Sequence, residues 1–410
     1  MLGLALGLSA CGGGGGGGSA TATPSPASYD VASSSASMAS ALGATDIAVS
    51  AGDTAAVAGA TSAMDMTADV GDTWRFVFNA FTSKFKLLPL QTAYGLTQTS
   101  DEGTFTKTTS GTIDTYSGNF GTPGQANGGS ITIKYDTRTK SLIGSVSWHN
   151  GTTTLSSAVT GSKLAMGASI TSLAGDYVFA NQARNQSNGQ SPSSTPGTLN
   201  IASNGLVKLC PGAKYNAASG NCLRLDGTTP NDGSQIPVTL QLAANAGGNL
   251  TLTPTGSNTL TLPNGVTHIK AHIQAGDLGP VLVIDQDWLN ASNVRRTGVF
   301  VAARIQAIDS AKFSGNFYCP TIQVNGNTGG TIRVTPTSFN LVGGSQAAVI
   351  AINKVYDTGT SVERDLAGAF HMTGTDSNNQ PLHQFGFQLS SSLFVFQNGG
   401  LDRLNFCQRT

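Results

Sequence analysis

The sequence predicts an all-β fold: a disordered N-terminal tether followed by two or three antiparallel β-barrel or β-sandwich modules. Three observations carry this. Strong helix formers are scarce, since only Glu102 and Glu363 are glutamates against twenty aspartates, while glycine numbers 52 in 410 residues. Asn-Gly, whose two residues tolerate positive φ and so favour tight hairpins, occurs seven times, from Asn127-Gly128 to Asn398-Gly399. Short apolar or alternating runs bounded by turn residues recur at close, regular spacing from about residue 70 onward.

Composition also excludes some functions. Lys plus Arg and Asp plus Glu each number 22, charged residues make up 11%, and no dense basic patch appears, so nucleic acid has no electrostatic footprint. Beyond the first eleven residues no apolar run approaches the roughly 20 residues a membrane-spanning helix requires.

The chain opens on an apolar run, Leu2 to Leu8, followed by Ser9-Ala10-Cys11 and seven glycines, Gly12 to Gly18. Apolar residues, small residues and a lone Cys at the junction with polar sequence resemble the lipobox of bacterial lipoproteins, although the basic n-region of a signal peptide is missing. The resemblance implies cleavage before Cys11 and acylation of that residue, so that the membrane is a partner through Cys11. Gly12 stands where that family's inner-membrane retention signal has Asp, which implies the outer membrane. Residues 12–67 are Gly, Ala, Ser and Thr with few large apolar side chains, too little apolar surface to offset ordering entropy. A flexible tether of that length spans about 40 Å.

Module 1 is expected over residues 68–167. Trp74-Arg75-Phe76-Val77-Phe78 opens a strand, and Ser130–Tyr135 and Ser141–Trp148 form a hairpin about Asp136–Lys140. Module 2, residues 168–309, starts at Gly175-Asp176-Tyr177 and continues as short strands, including Thr259–Leu262 and Val281–Asp285, with long polar loops at Gln186–Pro196 and Asp226–Ser234. Module 3, residues 310–410, starts at Phe313-Ser314-Gly315-Asn316-Phe317 and contains about eight strands. Tyr116-Ser117-Gly118-Asn119-Phe120 echoes that opening string. The Gly-x-aromatic openings look like those of calycin-type barrels, with Tyr177 and Phe317 in place of the lipocalin tryptophan. A Cys and polyglycine ahead of such a barrel is similar to surface lipoproteins of the transferrin-binding and factor-H-binding kind.

Cys210, Cys222, Cys319 and Cys407 allow three pairings. In an exported protein such cysteines usually pair. The compact Cys210–Cys222 loop favours a local bridge, which leaves Cys319 with Cys407; four free thiols are the alternative. An up-and-down barrel closes by pairing its first and last strands, so the second bridge would staple that seam.

His268 and His272 sit on one strand face with Lys270, opposite Ile269, Ala271 and Ile273, and are expected to face solvent rather than a metal. Asp285 and Asp287 share a strand face about 7 Å apart, the pattern of a glycosidic acid and base or a calcium site, or of a solvated strand end. His371 and His383 flank a turn and, with Asp376, fit a polar or metal cluster or plain surface residues. No Gly-x-Ser-x-Gly, Ser-x-x-Lys or phosphate-loop pattern occurs. The expectation is a non-catalytic envelope protein that binds an extracellular ligand or protein, with no cofactor, no metal and no nucleic-acid partner. A structural or adhesive surface protein is the runner-up, and a glycan hydrolase the third reading.

Overall fold

The computed structural model describes residues 61–96, 101–122, 124–163, 169–189, 193–224, 236–244, 250–274, 276–324, 327–344, 347–357, 361–375, 381–398 and 403–410. Cys11, the tether up to residue 60, Asp376 and the loop Asp226–Ser234 lie outside them. The described chain is three closed eight-stranded antiparallel barrels.

Barrel 1 comprises β1 (Thr61–Ala68), β2 (Thr73–Asn79), β3 (Lys84–Gln91), β4 (Asp101–Ser110), β5 (Ile113–Phe120), β6 (Gly129–Asp136), β7 (Ser141–His149) and β8 (Thr154–Lys163), closed by β1 on β8. Barrel 2 follows a one-turn helix, α1 (Ile170–Leu173). Its strands are β9 (Gly175–Asn185), β10 (Ser193–Ile201), β11 (Leu206–Pro211), β14 (Val238–Ala244), β15 (Leu250–Pro254), β16 (Ile269–Gln274), β17 (Val281–Leu289) and β18 (Arg295–Arg304), closed by β18 on β9. A two-stranded excursion, β12 (Lys214–Tyr215) and β13 (Cys222–Leu223), interrupts it. Barrel 3 follows α2 (Ser310–Phe313). Its strands are β19 (Gly315–Val324), β20 (Asn327–Val334), β21 (Ser338–Leu341), β22 (Ala347–Asp357), β23 (Val362–Thr375), β24 (Pro381–Ser390), β25 (Leu393–Asn398) and β26 (Arg403–Arg409).

Two sequence expectations need correction here. All of β1 except Ala68 lies within residues assigned to the tether: its Ala, Ser and Thr match tether composition, but Met64, Met66 and Ala68 point into the barrel and are buried. Thr259–Leu262 is not a strand; it contributes one isolated bridge, Thr261 to Leu289, and otherwise lies as a loop across barrel 2.

Barrels 2 and 3 open alike. Leu173 and Phe313 end the short helices and are buried. Gly175 and Gly315 follow at φ of 147° and 155°, values that favour glycine. Tyr177 and Phe317 then turn into the barrels and are buried. An arginine from each last strand lies over the ring, Arg304 at 5.8 Å and Arg409 at 4.7 Å. Each donates to helix-end carbonyls, Arg304 to Ser172 and Ala174 and Arg409 to Lys312 and Ser314, so one guanidinium latches helix, opening strand and closing strand together. The Tyr116–Phe120 string, by contrast, lies inside β5, an unrelated place.

Cys210 is bonded to Cys222 and Cys319 to Cys407. The first ties the end of β11 to β13. The second joins β19 to β26 beside their ladder pairs, Phe317 to Arg409 and Tyr318 to Gln408. Its 88-residue separation corresponds to on the order of 4 kcal/mol in the chain-entropy account.

The barrels are fused along their outer faces. Val178, Ala180, Val281, Val283, Val299 and Val301 of barrel 2 form one buried cluster with Ile143 of barrel 1 and with Phe385, Phe387, Val395 and Leu404 of barrel 3. Polar contacts complete each junction. The Leu404 backbone N–H donates to Gln182 Oε1 at 2.7 Å, Gln408 Nε2 donates to the Ser141 carbonyl at 3.2 Å, and Thr139 and Ser392 share a hydrogen bond of 2.5 Å.

The junction of barrels 1 and 2 overturns the solvent assignment of His272 and the solvated-end reading of Asp285. Ile269, Ala271 and Ile273 do face the core, so His272 faces outward, but outward here means barrel 1. It is buried, with Nε2 2.9 Å from Asp285 Oδ2, while Thr73 Oγ1 donates to Asp285 Oδ1 at 2.5 Å. Burial opposes the charged imidazole, but the charge and hydrogen bond of Asp285 outweigh it and raise the His272 pKa. Asp72, also buried, accepts backbone N–H groups of Tyr94, Gly95 and Leu96. Burial pushes its carboxyl up to about 6 against those three bonds, with Asp285 adding to the rise.

Both groups bind protons more tightly folded than unfolded, so both favour the folded state in acid and lose that contribution as pH rises. For Asp72 the window runs from the ordinary 3.8 to about 6, worth on the order of 3 kcal/mol at 1.36 kcal/mol per pKa unit. Urea unfolding of wild type and Asp72→Asn across pH 4 to 7 tests this: wild type should lose stability relative to the variant through that window, and parallel curves would refute it.

Candidate functional site

The three barrel interiors are filled differently. Barrel 1 is packed by Phe76, Phe78, Phe85, Phe105 and Tyr116, with neighbouring rings 5.0–6.5 Å apart. Barrel 3 is packed by Phe313, Phe317, Phe339, Phe370, Phe394 and Phe396, together with the Cys319–Cys407 bridge. Barrel 2 instead uses mostly Leu and Ile, including Leu199, Leu240, Leu252, Ile269 and Ile284, and its buried core cluster holds three aromatics, Tyr177, Phe179 and Phe300. Here the aliphatic lining does not close the interior completely. A cavity of about 100 Å³ remains, walled by Phe179, Leu209, Leu240, Ile269, Ile284 and Phe300.

Strand direction places the cavity. Leu173, Tyr177 and Arg304 block one end, and the cavity lies toward the other, where Pro211, Val238, Leu260 and Trp288 join its lining. The β9–β10 connection, the Cys210–Cys222 excursion and the β15–β16 loop all emerge at that end. Of the long loops flagged in the sequence, residues 186–189 follow β9 at that end, residues 193–196 belong to β10, and residues 226–234 lie outside the described residues.

Two polar side chains line the cavity. Asn181 Oδ1 accepts the Thr195 N–H at 2.7 Å. Gln286 is almost fully buried; Gly298 opposite it has no side chain, which lets the Gln286 amide lie across β18. There Nε2 donates to the carbonyls of Val299 and Gln182 at 2.5 and 3.2 Å, and Oε1 has no partner. One register step toward the mouth, Arg296 stands opposite Trp288. Its guanidinium donates to Asn185 Oδ1 at 2.6 Å, the Ala183 carbonyl at 2.9 Å and Ser193 Oγ at 2.8 Å. All three acceptors are neutral, Arg296 is 7% exposed, and burial pulls its pKa below the usual value.

The side chains singled out in the sequence are not gathered here. His268 is an exposed loop residue whose Nδ1 lies 3.0 Å from Thr267 Oγ1, Lys270 is exposed, and His272 is sealed in the junction with barrel 1. Asp287 is buried rather than solvated and takes a two-point contact from Arg295 at 2.7 and 2.8 Å. His371 and His383 do meet, with Nε2 to Nδ1 at 3.0 Å. Their acidic partner is Glu363, 2.9 Å from His371 Nδ1, and Tyr356 stacks on His383 at 3.6 Å. His371 is buried, so the plain-surface reading fails for it: the rings of Tyr356 and His383 stack on it, each at 5.1 Å. Among the described residues no group of three or more His, Cys, Asp or Glu is placed to hold a metal ion.

Sequence reasoning missed Arg296, Gln286 and Trp288. The usable signal was the pair Arg295-Arg296 at a strand start, where period-two alternation sends one arginine outward to Asp287 and the other into the barrel.

No family model and no curated protein matches the chain. Among solved structures it is similar to a double mutant of the vaccine antigen Transferrin Binding Protein B from Haemophilus parasuis Hp5, with 10% identity, a TM-score of 0.22, and coverage of 82% of this chain and 65% of that one. It is similar also to a single mutant of the same antigen, with 9% identity, the same TM-score and the same coverage, so the chain spans about two thirds of the length of these structures.

Proposed function

We propose that this chain is a non-catalytic binding protein of the bacterial cell envelope, held at the outer membrane through an acylated Cys11, and that the cavity of barrel 2 holds a compact apolar ligand. One observation carries the binding assignment: of three barrels built on one plan, two have interiors packed with aromatic rings and the middle one keeps an apolar cavity with an unpartnered buried acceptor, the composition expected of a ligand pocket. The envelope assignment rests on the lipobox-like Leu8-Ser9-Ala10-Cys11, the glycine run behind it, and two disulfides, which persist in oxidising compartments.

The hydrolase reading loses its residues. Asp285 is occupied by His272 and Thr73 and Asp287 by Arg295, so neither carboxylate faces a cleft as a free acid or base. What remains is three barrels joined through a shared buried cluster, with a pocket in the middle one.

Two measurements test the proposal. Mass spectrometry of the mature protein extracted from envelopes should find an acylated N-terminal Cys11, and an unmodified soluble Met1 form would contradict the anchor. Titration of the full chain with the neutral probe hexanamide, followed by NMR, should show saturable binding that Leu240→Trp abolishes by filling the cavity. Binding that survives this variant would place the probe elsewhere and refute the pocket.

A further inference from the structure

We infer that the ligand of barrel 2 is an apolar acid, its hydrocarbon body in the cavity and its carboxylate paired with Arg296 at the mouth. The inference rests on the cavity being a ligand pocket and adds the ligand's chemical class and orientation.

Arg296 is built into that site. Strand pairing places Arg296 opposite Trp288, Gly298 opposite Gln286 and Phe300 opposite Ile284, and Trp288, Gln286, Ile284 and Phe300 all line the cavity. The guanidinium thus occupies the next register position toward the open end on the same inward face. Its tethers to Asn185 and Ser193 fix it there.

The charge is uncompensated. Arg295 beside it has Asp287, Arg184 has Asp69 at 3.0 Å and Arg75 has Asp65 at 2.8 Å, whereas Arg296 makes no ion pair among the described residues. A buried charge facing only neutral acceptors is costly. The donations to Asn185, Ala183 and Ser193 engage one Nη1 proton and both Nη2 protons and leave Nε–H and the second Nη1–H uncommitted, so a carboxylate oxygen can take a charge-assisted hydrogen bond from Nε–H.

Gln286 sets the direction. Its free Oε1 is an acceptor deeper in the cavity, so a carboxylate placed there would meet a second acceptor, whereas at the mouth it meets donors. The aliphatic wall then takes the apolar body. A neutral apolar molecule would leave the Arg296 charge as it is; an apolar acid both fills the cavity and neutralises it.

Hexanoate and hexanamide, equal in size and differing in charge, test this on the full chain at pH 7. Hexanoate should bind about 10- to 100-fold more tightly, the range of a hydrogen-bonded charge contact. Arg296→Met should remove that preference while hexanamide affinity stays within about two-fold. In wild type, the Arg296 side-chain Nε–H resonance should move with hexanoate and not with hexanamide, a readout that stands even if the variant does not fold. Equal affinities in wild type, or a hexanoate preference that survives in Arg296→Met, would overturn the carboxylate assignment and leave the pocket intact. Binding of neither probe would overturn the pocket itself.

Discussion

Strands β9, β17 and β18 are buried on both faces, and the rest of the molecule is arranged around that fact. Leu282, Ile284, Phe179 and Phe300 face the interior of barrel 2, while Val281, Val283, Val178 and Val299 between them face the neighbouring barrels. At about 1.5–3 kcal/mol for each fully buried side chain of this size, the shared outer cluster makes separation of the barrels costly. It also converts outward-facing polar residues into interior ones. Asp285 accepts from Thr73 and Gln182 Oε1 accepts from Leu404 across the junctions, while His272 pairs with Asp285 inside barrel 2.

Because barrel 2 is held from outside, its interior is free to differ. Barrels 1 and 3 obtain their cohesion from stacked and edge-on rings, contacts worth about 0.5–1.5 kcal/mol each beyond area burial. Barrel 2 gives that up for an aliphatic lining, an open end and a buried guanidinium. A cavity without partner atoms forfeits dispersion contacts, and an unpaired charge adds to the cost. Both costs fall in the barrel most braced by its neighbours, which is where a binding site of marginal local stability is best tolerated.

Much of the fold was legible in the chain. Asn204-Gly205, between β10 and β11, and period-two runs such as Ile131, Ile133 and Tyr135 mark hairpins because the turn and pleat leave a local imprint. The cysteine pairing was readable because Cys319 and Cys407 sit on the strands that close a barrel. β1 was hidden because its Ala, Ser and Thr repeat the tether's composition, and only its pairing with β2 and β8 in barrel 1 makes it part of the fold. The histidines misled for a related reason: alternation tells which residues leave the barrel, and not whether water or another barrel waits outside. Arg296 carries no motif, and its meaning appears only when Gln286, Trp288 and the cavity are set around it.

The central claim is that barrel 2 keeps an apolar cavity inside its aliphatic lining. Xenon enters dry apolar cavities and is directly visible by its electron density, so crystals of the protein pressurised with xenon test it without reference to any natural ligand. The account predicts a single ordered xenon site within barrel 2, against Leu240, Ile269, Ile284 and Phe300. An empty barrel 2, or equal occupancy among the aromatic interiors of barrels 1 and 3, would contradict it.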